Sequence, residues 1–437
     1  MIIYKMFTPL IFILYFVTLF GTLYANILHT KYDIRNYLST RTPYRFKYNT
    51  NESQIIYPGC EAKKVWMLLR HGTRQPSTKD INNMNIKLKD LKLEILSQNI
   101  EKVILSKEQL KSFENWDINL SPEEQKFLTY EGQDEMILTA ERMQKRFPNI
   151  ITEEYSNKTY QFRYTAKQRT QQSARYFSLG LFDKKVADEI IFDPPKKVDT
   201  TLRFYKHCDK WQKQVKKNPN TYKEQRLFGI SQKVNETLEL VSQRLGLDRV
   251  LSLDAVVLMY KTCGFETAWH KHFKSPWCYA FDLDSIKDLE YYHDLRNYWL
   301  DGYGHELTYR VACMILKDMF QFVSNDVGPK ATFLFAHSGT LLKLLTHLQL
   351  YKPEVPLRAN YMDEERPFKT SDIDCFAANL AFVLYECGGE QRILTLHQEK
   401  IVKLPMCDDE LCPLEHLKKY FHDSIHKCDF DEMCSIN

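Results

Sequence analysis

Residues 65–76 read Val65-Trp66-Met67-Leu68-Leu69-Arg70-His71-Gly72-Thr73-Arg74-Gln75-Pro76. A short apolar run feeds a turn that carries two guanidinium groups, one imidazole and a glycine. The run has the character of a buried strand. Gly72 lets the backbone come close to a ligand. Arg70 and Arg74 present planar forks that suit an oxyanion, and His71 between them is a nucleophile. As chemistry, the stretch describes a phosphate monoester held by arginines and attacked by histidine.

Further along, the run Ala331-Thr332-Phe333-Leu334-Phe335-Ala336 leads into His337-Ser338-Gly339-Thr340, which opens a helix. A helix N-terminus offers free N–H groups and a positive dipole end. The strand–His–helix order repeats that of His71 and makes His337 a second candidate. Residues 163–174 read as strand, turn and helix start, with Arg169 at the start of the helix, where by itself it reads as a solvated helix residue.

Outward from these motifs, short apolar runs at 64–69, 332–336, 380–385 and 392–396 read as buried strands. Helical patterns span 122–147, 169–181, 307–323 and 339–350, with Ser121 as N-cap of the first. The alternation predicts an α/β core with a mainly parallel sheet flanked by helices. Charge-rich helical sequence at 77–160 and 205–325 predicts an inserted, mostly helical cap. The core then comprises 55–76, 161–204 and 326–437. Both histidines fall at carboxyl ends of strands, where such sheets bind ligands.

The chain has 437 residues, enough for more than one domain. Its 60 Lys+Arg against 56 Asp+Glu leave a net charge of +4, so general nucleic-acid binding is not indicated. Residues 1–25 carry one early lysine, an apolar stretch and Ala25, as expected of a cleaved signal peptide; an uncleaved anchor is the alternative. No other segment is apolar enough to span a bilayer. The tail Cys434-Ser435-Ile436-Asn437 is not a retention signal, so secretion is expected. Sequons at Asn51, Asn119, Asn157 and Asn235 are glycosylation candidates.

Eleven cysteines in an exported chain predict disulfides, with at least one thiol left over. The candidates are Cys60–Cys387, Cys263–Cys278, Cys407–Cys412 and Cys428–Cys434. Cys313, in an apolar helical stretch, is the candidate free thiol. The cysteine spacing is not that of a zinc site, and neither metal nor cofactor is expected.

The heptad Arg70–Pro76 resembles the RHGxRxP signature of the histidine acid phosphatases at every fixed position. The likeness selects a branch, the multiple inositol polyphosphate phosphatases. It runs through residues 60–76 and 165–182, Leu202-Arg203-Phe204-Tyr205 to Cys208, Ser275-Pro276-Trp277-Cys278, and Glu290-Tyr291 with Asp294-Leu295. Gly302-Tyr303-Gly304 and residues 340–345 extend it, so that it covers roughly 58–434. The resemblance implies a phosphohistidine at His71, with Arg70, Arg74, Arg169 and His337 neutralising the transferring phosphoryl group. It implies a small phosphorylated partner such as an inositol polyphosphate, no nucleic acid and no cofactor.

One departure matters. The branch carries His-Ala-Glu and the wider family His-Asp, where the carboxylate is the proton donor; here Ser338 and Gly339 stand in those places. Asp80, Glu266 and Asp301 are candidate replacements. The alternative reading is a homologue of weak or no activity that binds phosphorylated ligands or cleaves only good leaving groups. Lys79, Lys167, Lys271 and His272 are candidates for contacts with further phosphates.

Overall fold

The computed structural model describes residues 33–436 except Glu153, so the signal-peptide reading of residues 1–25 lies outside the described residues. The strands are β1 (Cys60–Arg70), β2 (Tyr160–Tyr164), β3 (Ala331–Ala336), β4 (Asn379–Cys387), β5 (Glu390–His397), β6 (Lys400–Ile401) and β7 (Leu411–Pro413). They form one sheet in the order β2-β3-β1-β4-β5-β6, with β7 on β5. The seven residues of β1 from Lys64 to Arg70 are buried, as an apolar run covered on both faces must be.

The α/β class expected from the alternation is present, in mixed form. β2, β3 and β1 are parallel, whereas β4 runs antiparallel to β1 and β5 antiparallel to β4. The β4–β5 hairpin turns at Gly388 and Gly389, whose φ values of 60° and 90° suit glycine. The register puts Arg70 opposite Ala336, so His71 and His337 leave the sheet side by side. It also puts Leu69 opposite Asn379, so the segment ahead of β4 enters at that same edge.

Six longer helices matter here. α1 (Tyr130–Arg146) lies along α2 (Gln168–Leu181), which packs on β3 through Phe177, with ring centroids 4.7 Å from Phe333. α3 (Leu253–Trp269) and α4 (Leu283–Asp301) are long helices in the sequence between β2 and β3. α5 (Cys313–Val323) packs against β1, and α6 (Ser338–His347) follows β3 with His337 at its N-cap position. Two helices expected as continuous are broken. Ser121 caps only the 3-10 turn Pro122–Glu124. Lys126 then takes φ 60° and donates its N–H to the Pro76 carbonyl (2.9 Å), and 127–129 runs extended against 73–75 through Gln75 N–Phe127 O (2.8 Å). The 307–323 pattern divides into Glu306–Arg310 and α5.

Residues 33–49 pack back onto the core. Tyr44 donates to Glu399 (2.8 Å), a buried carboxylate that also receives Arg142 (2.7 Å) and Arg146.

The disulfides join Cys60–Cys387, Cys263–Cys278, Cys407–Cys412, Cys208–Cys434 and Cys313–Cys428. Two expectations are corrected. Cys428 does not pair with Cys434, because the short helix Phe430–Cys434 lies between them and each cysteine reaches back to a different helical segment. Cys313 is therefore bonded, and the free cysteine among the described residues is the buried Cys375. Several disulfides mark an extracellular or luminal protein. Among the described residues no helix is long and apolar enough to cross a membrane.

Candidate active site

The turn after β1 is held by its neighbours on several sides. A Cβ built on Gly72 would lie 2.4 Å from the backbone oxygen of Gly132, and one on Gly132 would lie 2.2 Å from that of Thr73. Two glycines thus let the turn touch the first turn of α1 directly. Thr73 gives its N–H (2.7 Å) and its hydroxyl (2.9 Å) to Glu135 of α1, and Gly72 N–H donates to Ser173 of α2 (3.2 Å). Trp269, the last residue of α3, donates to the Arg74 carbonyl (3.3 Å).

His71 is buried, and its Nδ1 lies 2.9 Å from the carbonyl of Gly72. A carbonyl only accepts, so Nδ1 carries the proton and Nε2 keeps a free lone pair. Burial, then the charges of Arg169, Arg70, Arg74 and His337, hold the imidazole well below its ordinary range. The ring is therefore neutral in mild acid.

His337 stands edge-on to His71, with ring centroids 5.6 Å apart. Its Nδ1 accepts from Arg169 (3.2 Å), because a guanidinium only donates, and its Nε2–H points to the Thr165 hydroxyl (2.9 Å). Arg70 is buried, donates to the carbonyls of Asp374 and Cys375 (3.1 Å to the latter), and lies over the Phe376 ring at 4.8 Å. Arg74 lies over Phe265 at 5.8 Å. The structure thus brings together Arg70, His71, Arg74, Arg169 and His337.

The electrostatics of this group are one-sided. Burial lowers Arg74 well below its ordinary value, with Arg169, Arg70 and Arg41 adding to it, and lowers Arg169 to about 10. The Nε atoms of Arg70, Arg169 and Arg203 are buried without an acceptor among the described residues. Crowded, desolvated and unsatisfied donors of one sign make a receptor for an oxyanion.

The other sequence candidates fall elsewhere. Glu266 is buried and takes hydrogen bonds from Trp116 (2.6 Å) and Ser275. Asp80 pairs with Lys261 (2.9 Å) and lines a cavity of about 500 Å³ together with Lys79. Lys271 is engaged by Glu131 (3.5 Å) and Asp134 (3.4 Å). Lys167 and His272 are exposed. Asp301, the last residue of α4, does reach the site: its Oδ1 lies 3.3 Å from the place a Gly339 Cβ would occupy, and it is ion-paired with the fully buried Lys343.

Sequence reasoning missed several neighbours. Arg41 arrives on the irregular N-terminal segment, and Arg203 and Lys206 line up behind Arg169. Lys206 is lowered to about 8, first by desolvation and then by Lys216. Arg203 lies within a motif that carried the likeness, and that was the available signal. Asp374 enters ahead of β4, completely buried, 3.6 Å from Arg70, and accepts a hydrogen bond from Ser338. Among the described residues no group of three His, Cys, Asp or Glu side chains is placed to hold a metal ion.

Comparison with known proteins agrees with this geometry. The chain matches the histidine phosphatase superfamily (branch 2) over residues 61–404. It is 33% identical over 396 residues to multiple inositol polyphosphate phosphatase 1 of Drosophila melanogaster, covering 87% of this chain and 84% of that one. The fold is similar to that of a phytase from D. castellii, with a TM-score of 0.75 at 16% identity over 93% of this chain and 89% of the other. It is also similar to the multiple inositol polyphosphate phosphatase of Bifidobacterium longum in complex with inositol hexasulfate, with a TM-score of 0.67 at 14% identity over 90% of this chain and 98% of that one. With the strand-end histidines and their arginines already in place, the match over most of its length assigns this chain to branch 2 of the histidine phosphatase superfamily.

Proposed function

We propose that the protein is a secreted histidine phosphatase that hydrolyses phosphate monoesters, inositol polyphosphates in particular, through a phosphohistidine at His71. The observation that carries this reading is the free Nε2 of His71, left bare by the Nδ1–H bond to Gly72 and surrounded by Arg70, Arg74 and Arg169.

In the first step the Nε2 lone pair attacks phosphorus, the P–O ester bond breaks, and the departing oxygen keeps its electron pair and takes a proton. The three arginines hold the phosphoryl oxygens and offset the charge that develops on them. His337 fixes Arg169 through Nδ1 and is itself fixed by Thr165. Water then attacks phosphorus, the P–N bond breaks, and His71 regains its lone pair. The inositol polyphosphate class is supported by the named relatives and by the row Arg203, Lys206 and Lys216 beyond Arg169, which suits a ligand bearing several phosphates. Export is supported by the disulfides and by the exposure of Asn51, Asn119, Asn157 and Asn235, which we assign as glycosylation sites.

A second reading is favoured by Ser338 and Gly339, which offer no carboxylate: turnover confined to good leaving groups, or binding alone. Phosphate release from an aryl phosphate and from inositol hexakisphosphate, side by side from acid to neutral pH, separates the readings. Release from both supports the phosphatase proposed here. Release from the aryl ester alone supports the restricted enzyme, and retained binding without release a binding protein.

A further inference from the structure

An alkoxide is a poor leaving group and must be protonated as it departs, so a phosphatase acting on alkyl esters needs an acid at the mouth of its phosphate pocket. Three buried or half-buried carboxyls, Glu135, Asp301 and Asp374, come near this site, and Glu266 is buried farther off. Glu135 spends both oxygens on Thr73, and Glu266 spends its two on Trp116 and Ser275. Asp301 is engaged by Lys343, whose ammonium is itself fully buried between Tyr205 and Trp211 at 4.5 Å from each ring. Asp374 differs. One oxygen meets the Ser338 hydroxyl, and the other is buried with no hydrogen-bond partner among the described residues.

We propose that Asp374 is the source of the proton for the departing oxygen and that it acts through the Ser338 hydroxyl; this rests on the phosphatase reading above. Ser338 is the first residue of α6, directly after His337, and is only half-buried, whereas Asp374 lies behind it at full burial. In the structure the Ser338 hydroxyl donates to Asp374; for transfer it turns to the leaving oxygen, which takes its proton as the bond to phosphorus breaks, while Ser338 takes the carboxyl proton of Asp374 from the oxygen it meets. Asp374 is left ionised beside Arg70. In the second half of the reaction the attacking water gives its proton to Ser338, which returns one to Asp374.

The charges around Asp374 suit both states. It faces Arg70 from β1, Lys343 and Ser338 from α6, and Asp301 from α4. Burial pushes its carboxyl up to about 7, against the pull of Arg70, so that it holds a proton in mild acid. A phosphate dianion on Arg70 weakens that pull and keeps the proton in place until the ester bond breaks. The oxygen without a partner is tolerable on a neutral carboxyl and costly on a carboxylate.

The test compares an alkyl phosphate (glycerol 2-phosphate) with an aryl phosphate (4-nitrophenyl phosphate) for the full chain and for Ser338→Ala, Ser338→Thr and Asp374→Asn. A relay predicts that Ser338→Ala and Asp374→Asn lower kcat for the alkyl ester by about 10²-fold and for the aryl ester by less than about threefold. Ser338→Thr, which keeps a hydroxyl, restores most of the alkyl rate. The fall in the wild-type alkyl rate as pH rises through about 7 vanishes in Ser338→Ala. Should Asp374→Asn fail to fold, Ser338→Ala decides, because its side chain is not needed for packing. An unchanged alkyl-to-aryl ratio in active Ser338→Ala protein overturns the relay and leaves the phosphatase reading standing. A wild-type protein inactive on both esters overturns both.

Discussion

The two sides of the pocket are built by different means. On the phosphate-binding side, the turn after β1 is pressed against α1 by two facing glycines, and Glu135 and Ser173 bond it on either flank. On the leaving-group side, Ser338 and Gly339 bring no charge of their own, and the carboxyls there come from distant segments, Asp374 ahead of β4 and Asp301 at the end of α4. The first side is rigid, and its nucleophile and two of its three arginines come from one short stretch, Arg70–Arg74. The second is assembled from parts far apart in the chain. The contrast teaches that phosphoryl binding and leaving-group chemistry are separable here, so each is open to separate damage.

The largest effect is expected on the rigid side. His71→Ala removes the nucleophile and should lower phosphate release at least about 10³-fold, while the arginines keep measurable affinity for inorganic phosphate. Measurable turnover in that variant would sink the phosphohistidine assignment. Gly72→Ala sets a methyl group 2.4 Å from the Gly132 carbonyl, so turn and helix must part. A displacement of about 1 Å at the nucleophile should cost about 10²-fold in kcat for alkyl and aryl esters alike. A variant with normal kinetics would show that the turn is not held by that contact.

The leaving-group side should answer to pH. Activity needs His71 neutral, which holds above its lowered value, and Asp374 protonated, which holds below about 7. The kcat/KM profile for an alkyl ester should therefore be bell-shaped with its alkaline limb near neutrality, and that for an aryl ester should lack this limb. Identical limbs for both esters would assign the alkaline group to something other than leaving-group protonation.

Asp301→Asn strips the buried Lys343 of its counter-charge and should cost about 3–5 kcal/mol of stability, read by denaturant unfolding, with the alkyl-to-aryl ratio unchanged. A collapsed ratio would make Asp301 rather than Asp374 the acid. The smallest effect is expected at the rim. Lys206→Ala should raise KM for inositol hexakisphosphate about fivefold and leave KM for a monophosphate nearly unaltered; equal changes would remove Lys206 from any second phosphate site.

The same contrast explains what could be read from the chain alone. Arg70, His71, Arg74, Arg169 and His337 lie next to the apolar runs and helix starts that position them, so strand periodicity and residue chemistry point to them together. Asp374 gave no such sign. Its place depends on β4 running antiparallel, so that the strand begins where its neighbours end, and the alternation of strands and helices predicts the opposite direction. The helix expected over 122–147 has good propensity throughout, but its first part is drawn into extended pairing with residues 73–75, a tertiary contact that propensity cannot register. Cys428 and Cys434 look like a local pair only until the short helix between them turns each toward a different partner.

Those two tail cysteines also set an order of events in time. At roughly 5–20 residues per second of synthesis, the 226 residues from Cys208 to Cys434 take about ten to forty-five seconds to emerge. Cys208 waits through that interval, and Cys313 through the 115 residues that separate it from Cys428, without their native partners, while Cys263 and Cys278, only 15 apart, can already close. Cys428 and Cys434 therefore close the two long-range loops after the short one, and until they are oxidised Cys208 and Cys313 remain reactive thiols.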